Sequence, residues 1–254
     1  MLEVKNLTKT YASLPAVNSV SFCAGQGEVT GYLGPNGSGK STTLKMIAGL
    51  VAPTSGSILW RGQEVDTSSE GYKRGIGYVP EEPHLYSFLS GQEYLELVGQ
   101  LRGMEHRTSH RRIGRLLRVL GLDESRHSRI AEYSKGMKQK LLLLAALLDN
   151  PRILILDEPL SGLDAATVLV VRQAIKSMAS MGKTVLVSAH ELSVMEDVAD
   201  RVVILKKGGV VANDTVESLM RQHEVGTLEE AFRHLAIDVN CVDIARDLVE
   251  AMEA

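Results

Sequence analysis

The stretch "GPNGSGKST", Gly34–Thr42, follows the apolar run "EVTGYL" (Glu28–Leu33) and stands where a helix begins. Gly34, Gly39, Lys40 and Ser41 have the spacing of a phosphate-binding loop. Glycines let successive backbone N–H groups turn inward around an anion with no Cβ in the way, and the helix opening near Gly39 adds the positive end of its dipole. Gly34, Pro35, Asn36, Gly37, Ser38, Gly39, Lys40, Ser41 and Thr42 are therefore the candidate nucleotide-binding segment. In it Lys40 would reach the β- and γ-phosphates, and the Ser41 hydroxyl would ligate Mg²⁺. A strand running through such a loop into a helix predicts an α/β fold.

Working outward, Leu2 to Phe22 reads as short strands forming a modest antiparallel sheet. Extended runs recur at "GSILW" (from Gly56), "GIGYV" (from Gly75), "RILILD" (from Arg152), "TVLVSAH" (from Thr184) and "VVIL" (from Val202). From "RILILD" onward they are apolar on both faces, as strands in a covered parallel sheet are. Helical patterns at Ala165–Met181 and Leu192–Val198 alternate with them, which predicts a doubly wound core. Between Leu89 and Leu148 the strands give way to helical stretches around Gln92–Leu101, Ser109–Leu120 and Lys135–Leu148. The expected organisation is an α/β core over 1–88 and 149–222, a helical insertion over 89–148 and a helical tail over 223–254. "KKGGVV" at Lys206 reads as a hairpin turn built on two glycines. The tail from Thr227 would either pad the core or dock a partner.

With 44% hydrophobic and 23% charged residues, the composition is that of a soluble globular chain. A net charge of -3 argues against a surface that binds polyanions all over. Two cysteines, Cys23 and Cys241, offer neither a disulfide framework nor metal-ligand spacing, so a reducing, cytosolic compartment is expected. "LLLLAALL" at Leu141–Leu148 is too short to span a bilayer, so any work at a membrane requires a spanning partner. "HRTSHRRIGRLLRVL" (His106–Leu120) is basic but has no interleaved aromatics for nucleic-acid stacking. It reads as a solvated helix face with Ile113, Leu116, Leu117 and Leu120 turned inward.

A metal-bound nucleotide needs a carboxylate, and "ILILDEP" supplies one. Asp157 ends an apolar strand at the carboxyl edge of the sheet, where α/β folds place ligands and where one acid suits Mg²⁺. Glu158, beside it, is a candidate to polarise an attacking water. "YSKGMKQK" (Tyr133–Lys140) puts a second hydroxyl and a glycine at another helix start, far along the chain from the first loop.

The order of phosphate loop, helical insertion, "YSKGMKQK", "ILILDEP", "SGLD" and "SAH" resembles that of the ATP-binding cassette (ABC) ATPases, the nucleotide-binding subunits of ABC transporters. The resemblance runs from about Leu2 to Met220. It implies a P-loop NTPase core with a parallel sheet flanked by helices, a small N-terminal antiparallel β subdomain and an inserted helical subdomain. It implies ATP and Mg²⁺ as ligands. It also implies a head-to-tail pair of subunits in which each ATP lies between one chain's phosphate loop and the other's signature helix. On that basis Ser134 and Gly136 address the γ-phosphate of the partner's nucleotide. Tyr11 stacks on adenine, His190 contacts the γ-phosphate, and Asp164 in "SGLD" links the two sites across the dimer.

Two departures from the family pattern stand out. Glu81 occupies the position where the family has Gln: it can still ligate Mg²⁺ but brings negative charge towards the γ-phosphate. The signature reads Ser-Lys-Gly-Met, keeping the serine, the second glycine and the helix start.

The resemblance implies an ATPase on the cytoplasmic face of the membrane, paired with a second copy or a paralogue and driving a transmembrane permease. No nucleic acid and no direct membrane insertion are expected. A looser likeness to cassettes of drug and antibiotic exporters, through "LEVKNLTKTY", "YSKGMKQK" and "TLEEAF", favours export. A soluble ABC ATPase acting on ribosomes or DNA is the alternative, weakened by the single copy of each motif and by an insertion without sustained heptads. A kinase shares the phosphate loop but not the signature.

Overall fold

The structure, a computed structural model, describes residues 1–237, 246 and 249–252. At the N-terminus β1 (Leu2–Tyr11) and β2 (Leu14–Ala24) pair antiparallel, with Leu2 opposite Ala24 and Tyr11 opposite Leu14. Leu2, Val4 and Leu7 of β1 point the same way as Val17, Val20 and Phe22 of β2 and are buried together. β4 (Ser55–Trp60) pairs with β1 on its other side, and the short β5 (Gln63–Glu64) closes this four-stranded sheet.

A second sheet, in the order β10-β9-β3-β8-β7-β6 among the described residues, carries the core. Its strands are β3 (Val29–Leu33), β6 (Ile76–Val79), β7 (Ile153–Asp157), β8 (Thr184–Ser188), β9 (Arg201–Lys206) and β10 (Gly209–Thr215). β7 and β8 are buried at every position, as the continuous apolar runs predict for strands covered on both faces, and so is β3. Alternation sorts their side chains between two cores. Ile153, Ile155 and Leu186 join the β subdomain and α1 (Lys40–Ile47), whereas Leu154, Leu156, Val185 and Val187 face α6 (Ala165–Ser180) and α7 (Leu192–Val198). β9 and β10 form the expected hairpin. Its two left-handed residues are Lys207 (φ 49°) and Gly208 (φ 83°), and Gly209 already belongs to β10. One glycine therefore makes the turn, together with a lysine.

α3 (Gly91–Leu101), α4 (His106–Val119) and α5 (Lys135–Leu147) form the helical layer. Ser90 and Glu93 make a reciprocal cap at the start of α3. Leu95, Ile113, Leu117, Ile130, Leu141 and Leu144 pack together as a third core, and α4 leaves Arg107, Arg111, Arg115 and Arg118 on its exposed side. α5 is apolar on both sides: Leu141 and Leu144 face the other helices, while Leu142, Leu143 and Ala146 face the sheet.

A short helix, α2 (Glu70–Arg74), has no counterpart in the sequence reading, because five residues are too few to display a helical period. α8 (Val216–Gln222) and α9 (Leu228–Ala236) follow β10. Leu228, Ala231, Phe232 and Ala236 are buried, so this part of the tail pads the core. The rest of the expected tail lies largely outside the described residues, as does Cys241, and Cys23 is an exposed free thiol. Among the described residues no helix is long and apolar enough to cross a membrane.

Candidate nucleotide site

The central strand β3 delivers the glycine-rich loop to the carboxyl edge of the sheet, between β8 and β9. Gly39, the residue before α1, has φ 98°, and a Cβ there would lie 2.5 Å from the Ala16 carbonyl oxygen. Only glycine meets both the conformation and the close approach. A cavity of about 440 Å³ opens above the loop, lined by Ala16, Asn36, Gly37, Gly39, Lys40, Ser41 and Thr42 together with Glu81, Asp157, Glu158 and His190. Gly34 and Pro35 stand just behind it: Lys40 Nζ donates to their carbonyl oxygens at 2.7 and 3.3 Å. Ser38 is buried in the same loop, and its hydroxyl has no hydrogen-bond partner. Burial pushes the Lys40 ammonium pKa down, against the opposing pull of Glu158, Asp157 and Glu81.

Asp157 and Ser188 are register partners at the ends of β7 and β8, which explains the 2.6 Å hydrogen bond from Ser188 Oγ to Asp157 Oδ1. The other oxygen, Asp157 Oδ2, is buried without a partner. Ser188 Oγ also accepts the Glu158 N–H at 3.0 Å. Glu158 has φ 51°, unusual for a residue with a long side chain. Its Oε2 accepts the His190 N–H at 3.1 Å, and its Oε1 lies 3.5 Å from His190 Nε2. Burial raises the Asp157 carboxyl pKa, and the Glu81 charge adds to it. Burial also raises that of Glu158, with His190 the largest opposing influence. Ser41 Oγ donates to Glu81 Oε2 at 3.3 Å, which brings this carboxylate beside the hydroxyl expected to ligate Mg²⁺.

Three carboxylates thus face one ammonium in a small space, and a divalent cation would balance them. The donor set suits Mg²⁺, which favours oxygen ligands: the Ser41 hydroxyl, the Glu81 carboxylate and the orphaned Asp157 Oδ2, to which phosphate oxygens would add. Among the described residues no group of three or more His, Cys, Asp or Glu side chains forms a complete metal cage.

The remaining candidates stand elsewhere. Tyr11 is half-exposed on the β1–β2 hairpin, with Lys9 Nζ 5.2 Å from its ring centroid, and does not line the cavity. Ser134 caps α5 by accepting the Met137 N–H at 3.2 Å. Gly136, in the first turn of α5, packs so closely on the following loop that a Cβ would lie 2.7 Å from the Gly162 carbonyl oxygen. Asp164 caps α6 through the Thr167 N–H at 2.9 Å and sits 3.4 Å from Lys140 Nζ. Hydrogen bonds from Thr167 and the nearby Lys140 hold its carboxyl well below the usual range. Within one chain, then, the loop, the acids and His190 meet, and Tyr11, Ser134, Gly136 and Asp164 do not join them.

Two polar contributors fall inside the motifs "SAH" and "YSKGMKQK" without a role assigned to them by the sequence. Ser188 is the one hydroxyl that ends the apolar run of β8, a signal that was visible but ambiguous. Gln139 is 2% exposed on α5, and its Nε2 donates to the carbonyl oxygens of Pro159 (3.1 Å) and Glu158 (3.4 Å).

Comparison with known proteins agrees with this architecture. A family model described as "ABC transporter" matches residues 17–161. The chain is 42% identical over 229 residues to the Bacillus subtilis ABC transporter ATP-binding protein YxlF, covering 88% of this chain and 74% of that protein. It is 36% identical over 219 residues to the linearmycin resistance ATP-binding protein LnrL of the same organism, covering 86% and 70%. Among solved structures, an ATP-binding subunit of an ABC transporter superposes with a TM-score of 0.86 at 35% identity, covering 92% of this chain and 99% of that one. The dimeric cassette MJ0796, in a post-hydrolysis state bound to ADP and Pi, gives 0.78 at 28% identity, covering 85% and 98%.

Proposed function

This chain belongs to the ABC transporter family as an ATP-hydrolysing, ATP-binding subunit, and from that premise we propose how its residues share the work. Two copies, or this chain and a paralogue, sandwich ATP between the Gly34–Thr42 loop of one and Ser134 and Gly136 of the other. One observation carries the reading: the cavity gathers the loop, Asp157, Glu158 and His190, yet the second phosphate-directed helix start stands outside it. Ser134 already accepts a backbone N–H with its oxygen, which leaves its own O–H free to donate to a phosphate from a neighbouring chain.

Within each site Lys40 leaves its two carbonyl partners for the β- and γ-phosphates. Glu158 takes a proton from water as the water oxygen bonds to the γ-phosphorus and the bond to the β-bridging oxygen breaks. His190, beside the Glu158 carboxylate, contacts the γ-phosphate, and Tyr11 stacks on adenine. Ser41, Asp157 and Glu81 would hold Mg²⁺, which supplies charge neutralisation of the β- and γ-phosphates. Asp164 stands at the start of α6 to report across the dimer.

A transmembrane permease on the cytoplasmic side of a membrane would dock where apolar surface is left uncovered. Leu101, at the end of α3, is exposed and lines a groove of about 570 Å³ together with Leu50, Tyr78 and Arg102, and Tyr86 and Phe88 are exposed in the loop that precedes α3. A relative named for linearmycin resistance supports export as the direction.

The test is complementation between two inactive chains, Lys40→Ala and Ser134→Arg. Mixed, they should regain phosphate release through one intact site per dimer. Mixtures as dead as their components would refute the sandwich between two copies of this chain.

A further inference from the structure

Gln139 sits on the same helix as Ser134 and is enclosed: its side-chain amide lies at the boundary between the helical layer and the core. A buried amide without partners is costly, and here both partners are backbone carbonyls of the segment that leaves β7, those of Glu158 and Pro159. The Glu158 carbonyl also accepts the Ser161 N–H at 3.2 Å, while the Glu158 N–H is held by Ser188. The residue so held has φ 51°, a left-handed conformation that a long side chain adopts only when its surroundings impose it. Both peptide flanks of Glu158 are thus fixed by side chains, one from β8 and one from α5. Of the α5 contacts to this segment, Gly136 meets Gly162 and Lys140 meets Asp164, further along. Gln139 reaches the carboxylate-bearing residue itself.

Resting on the assignment of Glu158 above, we infer that Gln139 is a positioning residue. It holds the Glu158 peptide of its own chain so that the carboxylate is aimed at the attacking water. Because a displacement near 1 Å costs about a hundredfold in rate, releasing this peptide should slow hydrolysis without loosening ATP. Gln139→Met, nearly the same in length but with no donor, should lower kcat roughly ten- to hundredfold with KM for ATP within about twofold. Gln139→Lys keeps a donor and should recover at least about a third of the wild-type rate.

Placement in mixed dimers separates this from an effect through Ser134. In the Lys40→Ala and Ser134→Arg mixture, the working site takes its loop and Glu158 from the Ser134→Arg chain. Gln139→Met should reduce the mixture's turnover about tenfold more in that chain than in its partner. An equal or opposite pattern overturns the inference, as does a folded Gln139→Met homodimer with wild-type kcat. If the parent mixture is itself silent, the sandwich between two copies fails, and the kcat-against-KM split of the single variant still decides the role of Gln139. Circular dichroism melts establish folding. Gln139→Asn, with the amide one methylene short, carries the same expectations if the Met variant does not fold.

Discussion

Glu158 combines a buried carboxyl, a left-handed backbone and an oxygen without a hydrogen-bond partner, three features that each cost stability. Glu158→Gln should keep ATP binding and lose phosphate release by roughly a hundred- to thousandfold, since only the proton acceptor is removed. Equilibrium binding and phosphate assays on the same preparation check both halves. Asp157 makes a prediction about pH. Burial raises its pKa in the folded chain above its unfolded value of about 4. The folded state therefore binds the proton more tightly. The resulting stability is fully present below the unfolded pKa and is lost as pH rises through the folded one. At neutral pH the nucleotide-free protein carries this charge at a cost. Asp157→Asn should raise its melting temperature by about 2–4 °C at pH 7, and the gain should shrink as the pH falls towards about 4. Melting curves across that range give the answer; a gain that does not vary with pH would exclude the charge as its cause.

At the scale of elements, α5 carries most of the connections. One side packs on the helical layer and the other on the sheet core, and its first turns touch the loop between β7 and α6 at Glu158, Gly162 and Asp164. Gly136→Ala should force the start of α5 off this loop, because its Cβ would sit 2.7 Å from a backbone oxygen that has no flexible side chain to yield. ATP binding to the isolated chain should stay within about twofold while turnover by the paired chains falls about tenfold. A loss of binding in the isolated chain would instead place the damage in the same-chain site. α4 shows the opposite case: Arg107, Arg111, Arg115 and Arg118 lie on the solvent side and its leucines on the packed side, as the helical period alone requires.

For the whole molecule, the expected state depends on nucleotide. Glu158→Gln chains with ATP should sediment at twice the monomer mass and return to monomer when ATP is removed, because the second face of the site comes from another chain. The exposed aromatics make a separate prediction. Phe88→Asp should reduce recovery of the chain with membranes from its native source about tenfold while ATP-dependent pairing persists, since a charge in an apolar docking face opposes burial. Unchanged recovery would move the docking surface elsewhere.

The amino-acid order alone determined the features that depend on neighbours in the chain: a loop whose glycines clear space for an anion, acids closing an apolar strand, a helix start at Ser134, and alternation of strands and helices. Each is set by backbone geometry over a few residues, so spacing suffices to read it. Tertiary structure alone decided which of these groups meet. The strand order sets β3 beside β8 and β8 beside β7, and that brings Lys40, Asp157, Glu158 and His190 around one cavity while leaving Ser134 and Tyr11 outside it. The same order makes Ser188 the partner of Asp157, and α5 packing turns Gln139 onto Glu158. The physical reason is that such meetings are fixed by burial of many apolar side chains from distant parts of the chain, and no single stretch carries that information.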